Sequence, residues 1–223
     1  MVMSFFRKSE SGLDVVAHRT ISMLADARHS FDLASAAVLS GANPESVAHD
    51  IRTTDEHINQ AEQTLRGELV THVAVHGTAE IGSVLSYTLL IKKIERIGDQ
   101  AKNILDLAEE GVSLVDAEDI LELNEVRQVI SSMFAEAADL MAETTSEQAR
   151  EFYERATKLR HSIENKIRYY MHSEEPGHHA VPRAVLYRYW KRIVSNLAGV
   201  VTGVAEPLQR QGYIDDGETD LDD

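Results

Sequence analysis

The chain has 223 residues and a formal net charge of −15, with no cysteine, one tryptophan and four prolines. Disulfides and thiolate metal sites are excluded, so any bound metal has to take oxygen or nitrogen ligands. The acidity excludes broad binding to nucleic-acid phosphate, and the excess of good helix formers over Gly and Pro favours helix over sheet.

The opening residues, Met1 to Lys8 (MVMSFFRK), lack the apolar region of roughly 7–15 residues that a secretory signal carries. No uncharged apolar run approaches the roughly 18 residues of a membrane-spanning helix. The expectation is a soluble, cytoplasmic protein.

The first predicted helix runs from about Gly12 to Ser40, with His18, Ile21, Leu24, Ala25, His29 and Leu33 as its stripe. Gly41-Ala42 stops it. Asn43-Pro44-Glu45 opens the second helix, with Asn as cap, Pro in the first turn and an acid at the positive end of the dipole. Its stripe is Ile51, Ile58, Ala61, Leu65, Leu69 and Val73, and Gly77 ends it. The third helix stops near Gly111. Helices of about 30 residues are about 45 Å long, and short connections make consecutive ones antiparallel.

The third helix carries the chemistry. In YTLLIKKIERIGDQAKNI (Tyr87 to Ile104), Glu95 and Asp99 stand four residues apart, so both carboxylates share one face, on the shoulder of the buried stripe. Like charges one turn apart repel, and a hard divalent cation between them reverses the sign. Taken alone, the pair is more simply read as a solvated face of an acidic helix, where such spacing is common.

The string LLIKKIERIGDQAKNI resembles the third-helix signature of the PhoU family, the regulators of bacterial phosphate uptake. The likeness covers Glu95, Arg96-Ile97-Gly98, Asp99, Ala101, Asn103 and Ile104. It implies an all-α fold of six long helices in two tandem three-helix bundles, up-down repeats without a sheet. The first repeat would occupy residues 1–112, the second 113–212, and an acidic, disordered tail 213–223.

The second triplet is read accordingly. Asp116 is the expected cap of a helix to about Glu143, and Ser146 of one ending near His172. A polar loop, Ser173 to His179, follows, and Pro182 is placed in the first turn of a sixth helix running towards Gln211. The third and sixth helices align weakly, Leu90 on Leu186, Arg96 on Arg192 and Ile97 on Ile193. Lys191 then stands where Glu95 stands, and Ser195 where Asp99 stands.

The resemblance also implies acids on the second helix of each repeat. The nearest match is Asp55-Glu56-His57-Ile58-Asn59, with Asp55 and Asn59 on the helix shoulder. Asp55, Asn59, Glu95 and Asp99 are therefore the candidate ligands of a divalent metal or iron in the first repeat, the asparagine lowering the charge by one. In the second repeat Arg160 replaces the first acid and Lys191 another. The expectation there is a metal-free site whose cations pair with Glu164.

As function, the resemblance implies a non-catalytic regulator of phosphate uptake and phosphate-starvation signalling. Its partners would be the ATPase of the phosphate ABC transporter and the sensor histidine kinase, with the membrane met only through the transporter and no nucleic acid bound. Lys92 and Arg188 occupy the family's partner-facing basic position. The oligomeric state stays open between monomer and homodimer. Two other readings are weaker. A carboxylate-bound metalloenzyme wants Glu-x-x-His on paired helices, and no predicted helix carries it. A histidine phosphotransfer bundle would use His57 or His161, neither of which has a supporting pattern.

Overall fold

The computed structural model describes residues 12–205. Six helices follow one another: α1 (Gly12–Leu39), α2 (Pro44–His76), α3 (Ile81–Glu109), α4 (Ile120–Ala142), α5 (Ser146–His172) and α6 (Gly177–Ala205). No strand occurs among the described residues, and the all-α expectation holds. The tail expected at 213–223 lies outside the described residues.

The first three helices begin and end where their punctuation places them. Asn43 Oδ1 accepts a hydrogen bond from the Glu45 amide at 2.9 Å, and Pro44 follows at the helix start. Asn43 thus satisfies one of the free amides of the first turn, and Pro44 has no N–H that needs a partner there. At the other end Gly77 adopts φ 74°, which a side chain would disfavour, and its amide closes onto the Val73 carbonyl.

The second triplet departs from expectation at its starts. The helix expected from Asp116 begins at Ile120, and the residue at its cap, Asp119, makes no capping bond. Its carboxylate is claimed by Arg183 and the Tyr170 hydroxyl instead. The fifth helix is capped by Thr145 rather than Ser146. Thr145 accepts from the Gln148 amide while the Gln148 side chain accepts from the Thr145 amide, a reciprocal box closed by the Thr-x-x-Gln spacing. The sixth helix starts at Gly177, so His178 and His179 are helical and Pro182 lies inside the helix. A proline there forgoes only one backbone bond, near an exposed end where water can replace it.

The helices pack as a chain of neighbours. α1 lies against α2, α3 and α4; α6 lies against α5, α4 and α3. The third helices of the two triplets thus rest on each other, and one continuous apolar core runs through both halves, with Phe31, Phe134, Phe152, Tyr187 and Trp190 fully buried. Burial of each such side chain contributes about 1.5–3 kcal/mol. The Phe31 and Phe134 rings meet at 5.5 Å across α1 and α4. Beside them Asp32 receives Arg127 at 3.4 Å and the Ser131 hydroxyl at 3.1 Å. Among the described residues no helix is long and apolar enough to cross a membrane.

Candidate functional site

The acids singled out in the sequence meet in a polar seam between α2 and α3. On α2 the seam is Asp55, Asn59, Glu62 and Arg66; on α3 it is Lys92, Glu95, Asp99 and Lys102. Both sets recur at three- and four-residue intervals, which places each along one edge of its helix. The neighbouring edge of α2 is apolar, with Ile51, Ile58, Leu65 and Leu69 buried, and that edge holds the helix in place. Gly98 permits the close approach. A Cβ there would stand 3.1 Å from Ile58 Cδ1 and 3.9 Å from Asp55 Oδ1.

Two lysines and an arginine neutralise the seam from within. Lys102 Nζ lies 2.8 Å from Asp55 Oδ2 and 3.5 Å from Asp99 Oδ1. The Asn59 amide donates to Asp55 Oδ2 at 3.4 Å. One helical step away, Lys92 Nζ lies 2.7 Å from Glu95 Oε2 and 3.6 Å from Glu62 Oε1, which Arg66 also reaches at 2.8 Å. The pairs run in opposite order along the two helices, Asp55 with Lys102 and Glu62 with Lys92, so α2 and α3 are antiparallel. Four carboxylates therefore face three cations.

The ammonium groups are adjusted accordingly. Lys92 is held above the ordinary lysine range, first by its hydrogen bond to Glu95. Burial pulls Lys102 down, but the hydrogen bond and charge of Asp55, with Asp99 behind it, outweigh that and leave it raised. The Glu62 and Glu95 side chains are only 10% and 12% exposed, which is why each sits against a cation.

Residues 20–108, which carry this seam, match the family model described as "PhoU domain". Over that stretch the chain is similar to a PhoU domain. The whole fold is also similar to the crystal structure of PhoU from Pseudomonas aeruginosa, with a TM-score of 0.72 and 20% sequence identity over 86% of this chain and 95% of that one. No curated protein matches the chain at the sequence level. The resemblance read in the third helix is thus supported over α1 to α3 by sequence and over nearly the whole chain by fold.

Within this matched stretch the structure brings Asp55, Asn59 and Asp99 together around Lys102, while Glu95 turns to Lys92. Among the described residues no group of three or more His, Asp or Glu side chains is placed to hold a metal ion. A divalent ion at this place would have to displace Lys102 from two carboxylates and compete with the Asn59 amide hydrogens. As arranged, the donor set fits a tethered ammonium better than a metal. Three members of the seam, Glu62, Arg66 and Lys102, were not singled out in the sequence. The signal for Lys102 was its spacing, three residues after Asp99; that for Glu62 was its place seven residues, two helical turns, after Asp55.

At the corresponding place between α5 and α6, Lys191 meets Glu164 as expected, while the second cation on it is Arg168. Lys191 Nζ stands 2.6 Å from Glu164 Oε2, and Arg168 approaches the other oxygen at 3.5 Å. Lys191 is the main reason the Glu164 carboxyl titrates below its usual range, with Arg168 adding to it. The Ser195 hydroxyl donates to the Lys191 carbonyl at 2.8 Å. Arg160 lies over the Tyr153 ring at 6.0 Å.

The two candidate partner-facing cations differ in circumstance. Lys92 belongs to the seam; Arg188 is exposed on α6 and forms no ion pair among the described residues. His57, His161, His178 and His179 are exposed. His57 lines a cleft between α1 and α2 with Arg19, Asp26 and Gln60. Burial raises the Asp26 carboxyl there, and His57 partly offsets it.

Proposed function

We propose that the chain is a non-catalytic regulator of phosphate uptake and of the phosphate-starvation response, acting through contacts with the ATPase of the phosphate ABC transporter and with the sensor histidine kinase. The observation that carries this reading is the match of residues 20–108 to the PhoU domain; the likeness of the whole fold to the Pseudomonas protein supports it. The α2–α3 seam serves in this reading as an internally neutralised joint. It fixes the register of the two helices without an ion, and the outer helix faces meet the partners.

The test is co-purification of the tagged full chain from cells grown in excess phosphate. The transporter ATPase and the kinase should be retained at stoichiometric levels and be reduced in starved cells. Retention of neither in either condition would overturn the assignment of these partners.

A further inference from the structure

Nineteen of the 22 lysines and arginines lie among the described residues, Arg7, Lys8 and Arg210 being outside them. At least thirteen of the nineteen stand in an ion pair, as expected in a chain of net charge −15. Lys93, Arg96, Lys158, Arg188 and Arg192 have none among the described residues. Four of these five lie on α3 and α6, which pack on each other between the halves of the molecule.

Their placement follows from one contact. Lys93 lies flat on Gly199, where a Cβ would come within 2.6 Å of its ammonium and 2.9 Å of Cε. On α6, Arg192 and Arg188 precede Gly199 by seven and eleven residues, two and three helical turns, so they stand on the same edge. On α3, Arg96 is one turn beyond Lys93. The four cations therefore flank a single helix–helix contact, within about 16 Å along α6 at 1.5 Å per residue. Lys93 is half-buried there, and burial lowers its pKa, with Arg96 adding to the effect. The three arginines are exposed. Lys93 feels the charge of Arg96, and the exposed arginines beside them present positive charge that an acidic occupant would meet.

The strip is also partly apolar. Leu85 and Leu89 share the Arg96 edge of α3 and are 45% and 47% exposed, and Val181, two turns before Arg188, is 59% exposed. Basic and apolar side chains in one strip suit a protein segment carrying both carboxylates and apolar residues. A polyanion of high charge density would meet the long-range field of a chain at −15, whereas a short acidic segment meets mainly the local strip.

We infer that the arginine strip along the α3–α6 contact, Arg96, Arg188 and Arg192, is a docking surface for an acidic segment of a partner protein. The inference rests on the charge arrangement and stands whether or not the phosphate role does.

The experiment is fluorescence anisotropy of a labelled peptide alternating glutamate and leucine, titrated with the full chain at low and moderate salt. The wild-type chain should bind, more weakly as salt rises. Arg96→Glu/Arg188→Glu/Arg192→Glu should lose affinity by about tenfold or more. Arg150→Glu/Lys158→Glu/Arg168→Glu on α5 changes the net charge equally and should stay within about twofold of wild type. Circular dichroism of both variants confirms folding. Equal losses in the two variants, or no binding by wild type at low salt, would overturn the inference. So would tighter binding of an oligouridylate or of anionic vesicles than of the peptide. So would peptide binding that appears only when the six acids from Asp215 to Asp223 are replaced by their amides, since the chain's own tail would then be the occupant.

Discussion

The Lys102 ammonium lies 2.8 Å from Asp55 Oδ2 and bridges α3 to α2. It sits amid the acids that the sequence singled out as metal ligands, much as Lys191 sits 2.6 Å from Glu164 in the other half. Each half thus ties a carboxylate of its second helix to a cation of its third, and in the first half that cation also stands between acids that would otherwise repel.

Replacing Lys102 by Met should remove that bridge while keeping the stem's packing. Asp55, whose side chain is 13% exposed, would then face Asp99 with no cation between them. A loss of about 1–3 kcal/mol in urea denaturation is expected. Manganese should recover part of that loss in the variant and leave wild type nearly unchanged, as thermal melts with and without the ion will show. Strong stabilisation of wild type by manganese would mean that Lys102 yields its place readily.

A second clamp lies at the start of α4. Arg183, with an 11% exposed side chain, holds Asp119 Oδ1 at 2.8 Å, and the Tyr170 hydroxyl donates to Oδ2 at 2.9 Å. Asp119→Ala leaves that guanidinium buried and unpaired, and should cost about 3 kcal/mol, more than any exposed ion pair in the molecule. The same pair predicts an acid dependence. Burial alone would raise Asp119, but the bonds from Arg183 and Tyr170 outweigh it, so the folded pKa lies below the ordinary value of 3.8. A depressed carboxylate stabilises fully above the unfolded pKa and loses that contribution as pH falls through the folded one. The stability difference between wild type and Asp119→Asn should therefore be flat above about pH 5 and shrink below 3.8.

Two helix-interior glycines should respond with opposite sign to alanine. At Gly67 a Cβ meets nothing within 4 Å, so Gly67→Ala should stabilise by up to about 1 kcal/mol. At Gly98 the Cβ meets Ile58 Cδ1 at 3.1 Å, and Ile58 is itself 1% exposed in the core. Overpacking there should exceed the gain in helix propensity and leave Gly98→Ala destabilised by about 1 kcal/mol. Guanidinium denaturation of the two variants side by side measures both.

Much of this molecule was legible locally. Asn43-Pro44-Glu45 and Gly77 bounded α2 because caps act within a few residues, and Glu95 and Asp99 showed the helix edge that meets α2. What failed to show had its cause at long range. Asp119 gives up its cap to Arg183, 64 residues away, and nothing near either residue announces that pairing. Lys102 and Lys92 were visible at three-residue spacing from Asp99 and Glu95. Whether such a lysine points to solvent or into a seam depends on where α2 lies. Thr145 took the cap from Ser146 because the partner three residues on, Gln148, completes a reciprocal box.

The regulatory role is tested most directly by alkaline phosphatase expression in a strain lacking this chain, grown in excess phosphate. The account predicts high expression there, with repression restored by the wild-type chain supplied in trans. Full repression without the chain would contradict it.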